Sequence, residues 1–239
     1  MKISKHILKQ FHHKSRKMKI ANLIFLSYTI LNFCTCQVSN TENVKQASNT
    51  ANPIEVKATE EGLEKAYFAS GCFWCVEAIY ESVKGVEESI SGYSGGHTQN
   101  PTYEDSNTGT TGHAEAVEII YNPEVVDFAT LVDVYFGSQN ITQVNGQGPD
   151  NGSQYRSIIF YQNDEQKKII EEKIAALNAQ LSGDKVAAEV LPFQKFWLGE
   201  EYHQNYEKHH PNQGYIRSVS IPRLKRFQGK FPQLIKAAH

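Results

Sequence analysis

Cys72 and Cys75 stand three residues apart in Gly71-Cys72-Phe73-Trp74-Cys75-Val76-Glu77, where a short alternating strand gives way to a helical pattern. Residues 65–69 alternate, Ser70-Gly71 interrupt them, and Phe73, Val76, Ile79, Tyr80 and Val83 recur at helical spacing until Gly85. Cys72 is thereby placed at a helix N-terminus, where unpaired N–H groups and the helix dipole favour a thiolate. The first thiol is expected to have the lower pKa and to be the nucleophile, with Cys75 as its resolving partner. Other uses of two thiols remain open at this point: inert core packing, a fixed structural bridge, or a thioredoxin-type exchange of disulfides. Structural zinc needs a second ligand pair. The other two thiols, Cys34 and Cys36, lie in a segment that reads as targeting sequence, and no His pair follows Cys75 at finger spacing.

A second chemical group comes from residues 114–121, which alternate as a strand and put Glu115 on the same side as Val117, Ile119 and Tyr121. A carboxyl on the apolar side of a strand is costly to ionise, so it stays protonated at higher pH than usual. A protonated carboxyl can deliver a proton, which makes Glu115 the candidate general acid. The competing reading is a strand-end carboxylate that reaches water past small alanines. His97, His113, His203, His209 and His210 offer no i, i+4 pair with a nearby acid, and they read as solvated helix and turn residues. Arg217, Arg223, Lys225, Arg226 and Lys230 read as a solvated basic surface.

The elements that must position these groups follow in order. Strands are expected at 65–69, 86–93, 114–121, 155–161 and 186–192, and helices at about 72–84, 127–135, 163–181 and 200–209. Two long loops, 94–113 and 137–154, are too rich in Gly, Asn, Thr and Pro for regular structure. The repeated βαβ order predicts an α+β two-layer sandwich: a ferredoxin-like, split-βαβ core with a mixed sheet, helices on one face and C-terminal extensions.

Residues 1–19 carry seven Lys or Arg and no acid, and an apolar run from 20 to 33 follows that is short for a membrane span. This is a signal-peptide pattern over 1–36, with Met18-Lys19 as an alternative start. Cys36 is a loose match to a lipoprotein acceptor, which leaves lipid attachment to a membrane and simple secretion as alternatives. The protein is expected in a bacterial envelope, periplasmic or membrane-anchored. Residues 37–64 read as a flexible polar linker, and 65–239 as one domain of about 175 residues, enough for a real core. Removing the seven basic residues from 24 leaves 17 against 26 acidic ones, a net charge near −9, so nucleic acid is not an expected partner.

With these residues assembled, the chain from about 65 to 218 resembles the peptide methionine sulfoxide reductases of the A type. The matching segments are Gly71-Cys72-Phe73-Trp74, Gly92-Tyr93-Ser94-Gly95-Gly96, Asn100-Pro101-Thr102-Tyr103, Thr111-Gly112-His113-Ala114-Glu115-Ala116-Val117, Asp150, Gln154-Tyr155-Arg156-Ser157 and Glu201-Tyr202-His203-Gln204. The resemblance implies that Cys72 attacks the sulfur of methionine S-sulfoxide, free or in proteins. It also implies that Glu115 protonates the departing oxygen and that Tyr103 and Tyr155 hydrogen-bond it. It further implies that Phe73 and Trp74 hold the S-methyl group and that Asp150 contacts substrate or water. Relatives with Gly at the position of Cys75 carry a resolving Cys near the C-terminus. No Cys follows Cys75 here, which indicates the subtype in which Cys75 resolves and an external thioredoxin-like dithiol reduces the pair. The family needs no metal or organic cofactor, and a monomer is expected.

Overall fold

The computed structural model describes residues 51–237. The expected signal segment with Met18, Cys34 and Cys36, and the linker from 37 to 50, lie outside those residues. The described chain runs β1 (Glu64–Ser70), α1 (Phe73–Glu81), β2 (Val86–Ser94), α2 (Tyr103–Asn107), β3 (Ala114–Tyr121), α3 (Phe128–Gly137), β4 (Gly146–Gln147), β5 (Asp150–Asn151), β6 (Ser157–Tyr161), α4 (Asp164–Asn178), β7 (Glu189–Pro192), β8 (Phe196–Leu198), α5 (Tyr206–His209) and α6 (Ile221–Lys230).

Six strands form one sheet in the order β7-β6-β1-β3-β2-β8, antiparallel throughout except for the parallel β6/β7 pair. Its four central strands are β1, β2, β3 and β6 in chain order, with α1 following the first and α3 the third, and they lie fourth, first, third, second across the sheet. That is the split-βαβ, ferredoxin-like arrangement expected, with β8 and β7 added at the edges. Alternation along each strand decides what it faces. Phe68, Val117, Ile119 and Tyr121 join Val76, Ile79 and Tyr80 of α1, Leu131 and Tyr135 of α3, Ile170 of α4 and Phe227 of α6 in one core. Tyr67, Ala69, Ala114, Ala116, Ile158 and Phe160 point the other way, where they meet Leu191, Phe193, Phe196 and Val56. Phe193 stacks on Tyr67 with centroids 3.8 Å apart.

The described part of the expected linker lies along this second face. Ile54 N–H donates to Phe193 O (2.8 Å) and Val56 N–H to Gln162 Oε1 (2.8 Å). Helix starts follow their caps: Asp127 accepts from Thr130 N–H (2.7 Å) and Asn163 from Gln166 N–H (2.9 Å).

Several expectations need correction. The loop 94–113 contains α2, opened by a reciprocal cap in which Thr102 Oγ1 accepts from Asp105 N–H and Asp105 Oδ2 accepts from Thr102 N–H. Five residues are too few to show periodicity. The loop 137–154 contains the β4/β5 hairpin, and the sixth strand begins at Ser157 because residues 153–155 form a 3₁₀ turn. The strand expected from 186 pairs only from Glu189. The helix expected over 200–209 is broken by Asn205, left-handed at φ +54°. Neither β8 nor α6 is foreseen: one is three residues long, and the other carries four Lys or Arg on a helix whose inner face has few apolar residues. Arg223 and two of the histidines also leave the solvated class. His113 is buried, accepting from Gly96 N–H at Nδ1 (3.1 Å) and donating from Nε2 to Thr98 O (2.9 Å), which braces the 94–113 loop.

Candidate active site

The β1–α1 turn is built for close approach. Gly71 sits at φ +78°, and a Cβ there would lie 2.5 Å from Gln147 Cβ, so only glycine lets the β4/β5 hairpin close over the turn. Cys72 is the N-cap residue of α1 and Cys75 lies one turn in; both are free thiols, 6% and 1% exposed. Glu115, 2% exposed on the neighbouring β3, accepts from Phe73 N–H at 2.9 Å. Burial pushes its carboxyl up to about 8, against the opposing pull of that N–H. The structure thus puts the expected acid beside the expected nucleophile in the expected protonation state.

The thiol pKa order is the reverse of the expectation. Cys72 is held well above the usual thiol range, first by burial, then by its hydrogen bond with Cys75 and by the nearby acids Cys75 and Glu115. Cys75 is lowered to about 6, chiefly by the hydrogen bond from Cys72 and further by the Arg223 guanidinium, against its own burial. The two thiols titrate as a coupled pair in which Cys72 is pushed up and Cys75 is pulled down. Helix-end stabilisation fails at Cys72 because the first free amide, Phe73 N–H, is spent on Glu115, and Cys72 makes no side-chain cap hydrogen bond.

Arg223, read from sequence as solvated, is buried because it does structural and electrostatic work at once. Its Nη1 and Nη2 donate to Ser70 O (3.0 Å) and Ser70 Oγ (2.8 Å), and its Nε donates to Ser138 O (2.9 Å), tying α6 to the turn that carries the thiols. Tyr215, the second unforeseen member, donates to Asp150 Oδ2 at 2.5 Å while its hydroxyl lies 3.7 Å from Cys75 Sγ. Asp150 is therefore fixed beside the thiol pair, and burial raises its pKa.

Tyr103 and Tyr155 come from the start of α2 and the 3₁₀ turn before β6, and both phenols are half-buried. Burial raises both phenol pKa values, so both hydroxyls remain donors at neutral pH, and both lie close enough to Glu115 and Cys72 to sense any charge that develops there. Phe73, Tyr103 and His203 bring their rings together, with centroids 4.5 to 6.3 Å apart. Trp74 stacks on Tyr206 at 3.8 Å and donates from Nε1 to His203 Nδ1 (3.1 Å). His203 is 1% exposed, and burial lowers its pKa, so it is a neutral wall of an aromatic pocket. Glu200 accepts from Tyr103 N–H (2.9 Å) and from the Tyr93 hydroxyl (2.8 Å), holding the α2 side of that pocket. Glu77, buried on α1, accepts from Ser91 Oγ (2.9 Å) and Asn205 N–H (2.8 Å), which clamps α1 to the segment carrying His203 and Tyr206; burial pushes its carboxyl up to about 7.

All eight residues singled out in sequence (Cys72, Cys75, Glu115, Tyr103, Tyr155, Phe73, Trp74 and Asp150) converge on this region. Five that sequence reasoning passed over complete it: Arg223, Tyr215, His203, Glu200 and Glu77. Arg223 to Ser70, Tyr215 to Cys75 and His203 to Trp74 each span more than 100 residues of chain, and no local period marks them. Among the described residues, no group of three His, Cys, Asp or Glu is placed to hold a metal ion.

The arrangement combines a dithiol, a protonated carboxyl, two phenol donors and an aromatic wall, which suits reduction of a small apolar group bearing an oxygen. Comparison with known proteins agrees. A family model described as peptide methionine sulfoxide reductase matches residues 64–234. Peptide methionine sulfoxide reductase MsrA of Pasteurella multocida is 44% identical over 173 residues, covering 72% of this chain and 99% of its own. The protein of the same name from Saccharolobus solfataricus is 44% identical over 174 residues, covering 73% and 98%. Among solved structures, methionine sulfoxide reductase A of Corynebacterium diphtheriae superposes with TM-score 0.58 at 30% identity, covering 70% of this chain and 85% of that one. Mxr1 of Saccharomyces cerevisiae in reduced form gives 0.58 at 31%, covering 66% and 91%.

Proposed function

The chain belongs to the peptide methionine sulfoxide reductase family and reduces methionine S-sulfoxide to methionine, and we propose that it does so through Cys72, Cys75 and Glu115 in three steps. In the first, the Cys72 sulfur attacks the sulfoxide sulfur and passes its proton to the Cys75 thiolate. Glu115 delivers a proton to the sulfoxide oxygen, which Tyr103 and Tyr155 hold by hydrogen bonds. The oxygen ends on Cys72 as a sulfenic acid, and methionine leaves. Cys75 then attacks the Cys72 sulfur, water departs, and a Cys72–Cys75 disulfide forms. In the third step an external thioredoxin-like dithiol reduces that disulfide.

The observation that carries this reading is the Glu115 carboxyl: nearly inaccessible, pinned by Phe73 N–H, and protonated at neutral pH beside a buried thiol. The sulfoxide sulfur is a poor electrophile until its oxygen is protonated, so this pairing supplies what the reaction lacks in water. Phe73 and Trp74 form the apolar wall for the S-methyl group, and Asp150, held by Tyr215, orders the space beside the thiols. The chemistry needs no metal or organic cofactor. Residues 1–36 and their charge pattern support export, so the working site is the bacterial envelope, either free or tethered through Cys36, and the protein acts there as a monomer.

A stereospecific assay on pure S and R sulfoxides tests this assignment. Wild type should turn over the S epimer only; Cys72→Ser should be inert, and Cys75→Ser should complete one turnover and then stop. Full cycling by Cys75→Ser would remove Cys75 from the resolving role.

A further inference from the structure

The cavity that Cys75 lines is not lined by Cys72. Cys72 belongs with Glu115, Tyr103 and Tyr155, whereas Cys75 lines a separate open cavity of about 780 Å³ that none of those three residues, nor Phe73 or Trp74, lines. That cavity lies between α6 and the segment 137–150. Its wall carries three cations, Arg223, Arg226 and Lys230, against a single carboxylate, Asp150, which is already engaged by Tyr215. Arg226 and Lys230 are exposed, lie four residues apart on α6, and form no ion pair among the described residues. In a mature chain of net charge near −9, an unpaired cationic rim around a redox thiol is out of keeping with the rest of the surface.

We propose that this cavity is the docking site of the reductant, an acidic protein dithiol that seats against Arg226 and Lys230 and attacks Cys75 without passing through the methionine sulfoxide pocket. The proposal rests on the Cys72–Cys75 disulfide of the preceding section. A reductant thiolate attacks Cys75 Sγ, the intramolecular S–S bond breaks, and Cys72 leaves with a proton from Glu115. The second thiol of the partner, as its thiolate, then attacks its own sulfur in the mixed disulfide, releasing the Cys75 thiolate and the partner as a disulfide. Two thiols on one partner are needed because a monothiol would leave Cys75 capped at the foot of the cavity. A protein is favoured over a small anionic thiol because Arg226 and Lys230 are exposed four residues apart on α6, so an acidic protein surface meets both at once.

The test compares full-length wild type with the double variant Arg226→Glu/Lys230→Glu, using methionine S-sulfoxide and three reductants: an acidic thioredoxin-fold protein, uncharged dithiothreitol, and glutathione. The variant should raise KM for the protein reductant roughly tenfold, with a wild-type effect of the same direction on adding salt, and leave the dithiothreitol rate unchanged. An unchanged KM for the protein, or a rise confined to glutathione, overturns the proposal. Independently, oxidised wild type is mixed with the protein reductant whose second Cys is Ser, and the mixed disulfide is mapped by mass spectrometry. Linkage to Cys75 supports the cavity and linkage to Cys72 overturns it. Should no disulfide form after a single turnover and no dithiol restore activity, the underlying Cys75 assignment fails instead, a result distinct from either.

Discussion

At the scale of single residues, the site runs on two displaced protonation equilibria. Cys75 titrates at about 6, so above that pH the thiol pair already holds one negative charge, whereas Glu115 at about 8 keeps its proton until the solution is mildly alkaline. Both conditions hold together only between those values, so the single-turnover rate of methionine formation should follow a bell, rising through about pH 6 and falling through about pH 8. Glu115→Gln keeps the contact with Phe73 N–H but has no transferable proton. It should lower that rate by roughly 10²- to 10⁴-fold and abolish the alkaline limb, with little change in substrate binding. A variant rate within twofold of wild type would remove Glu115 from the acid role. Glu115 was legible in the sequence because a period of two assigns it to the buried face of β3. The order of the thiol pKa values was not, because the Arg223 guanidinium, which adds to the hydrogen bond from Cys72 in lowering Cys75, arrives from 148 positions away.

At the scale of elements, the strand-to-helix turn and α6 act as one unit. Gly71→Ala places a Cβ 2.5 Å from Gln147 Cβ at a left-handed backbone position, so it should destabilise the fold by about 1–3 kcal/mol. It should also cost activity beyond that stability loss, since Cys72 is the next residue; a melting temperature and rate equal to wild type would refute the constraint. Arg223→Met removes the donors to Ser70 O, Ser70 Oγ and Ser138 O and takes a cation away from Cys75. Each buried carbonyl left unpaired costs about 1–3 kcal/mol. The pH midpoint for alkylation of Cys75 should move upward from about 6, a shift that loss of packing alone does not produce. The helix carrying Arg223 escaped sequence reading because four Lys or Arg among its ten residues read as a solvated surface and outweighed the apolar spacing of Ile221, Leu224 and Phe227; β1, β2, β3, α1 and α3 were read nearly residue for residue because their apolar residues outnumber their charges.

At the scale of the whole molecule, burying Glu77 and Glu115 makes folding take up protons. Each has an ordinary value of 4.5, raised to about 7 and about 8 in the fold, so between those limits the native state binds more protons than the unfolded chain. The slope of unfolding free energy with pH then has the sign of protons bound in the unfolded state minus those in the native state, which is negative here. Stability from these two groups is present in full below about pH 4.5 and is lost as pH rises toward 8. Thermal melts should fall over that window, and Glu77→Gln, which keeps an acceptor for Asn205 N–H, should flatten the fall; a parallel curve would show that Glu77 titrates normally. The sequence alone determined the split-βαβ order, the turn that bears Cys72 and Cys75, and the face on which Glu115 lies, because local periodicity and glycine breaks are short-range properties of a chain. Tertiary structure alone decided the direction in which each thiol is pushed, which histidines and which arginine are buried, and that Cys75 lines a cavity that Cys72 does not. Those outcomes depend on desolvation and on charges brought together from distant segments, and neither exists until the sheet and α6 have packed.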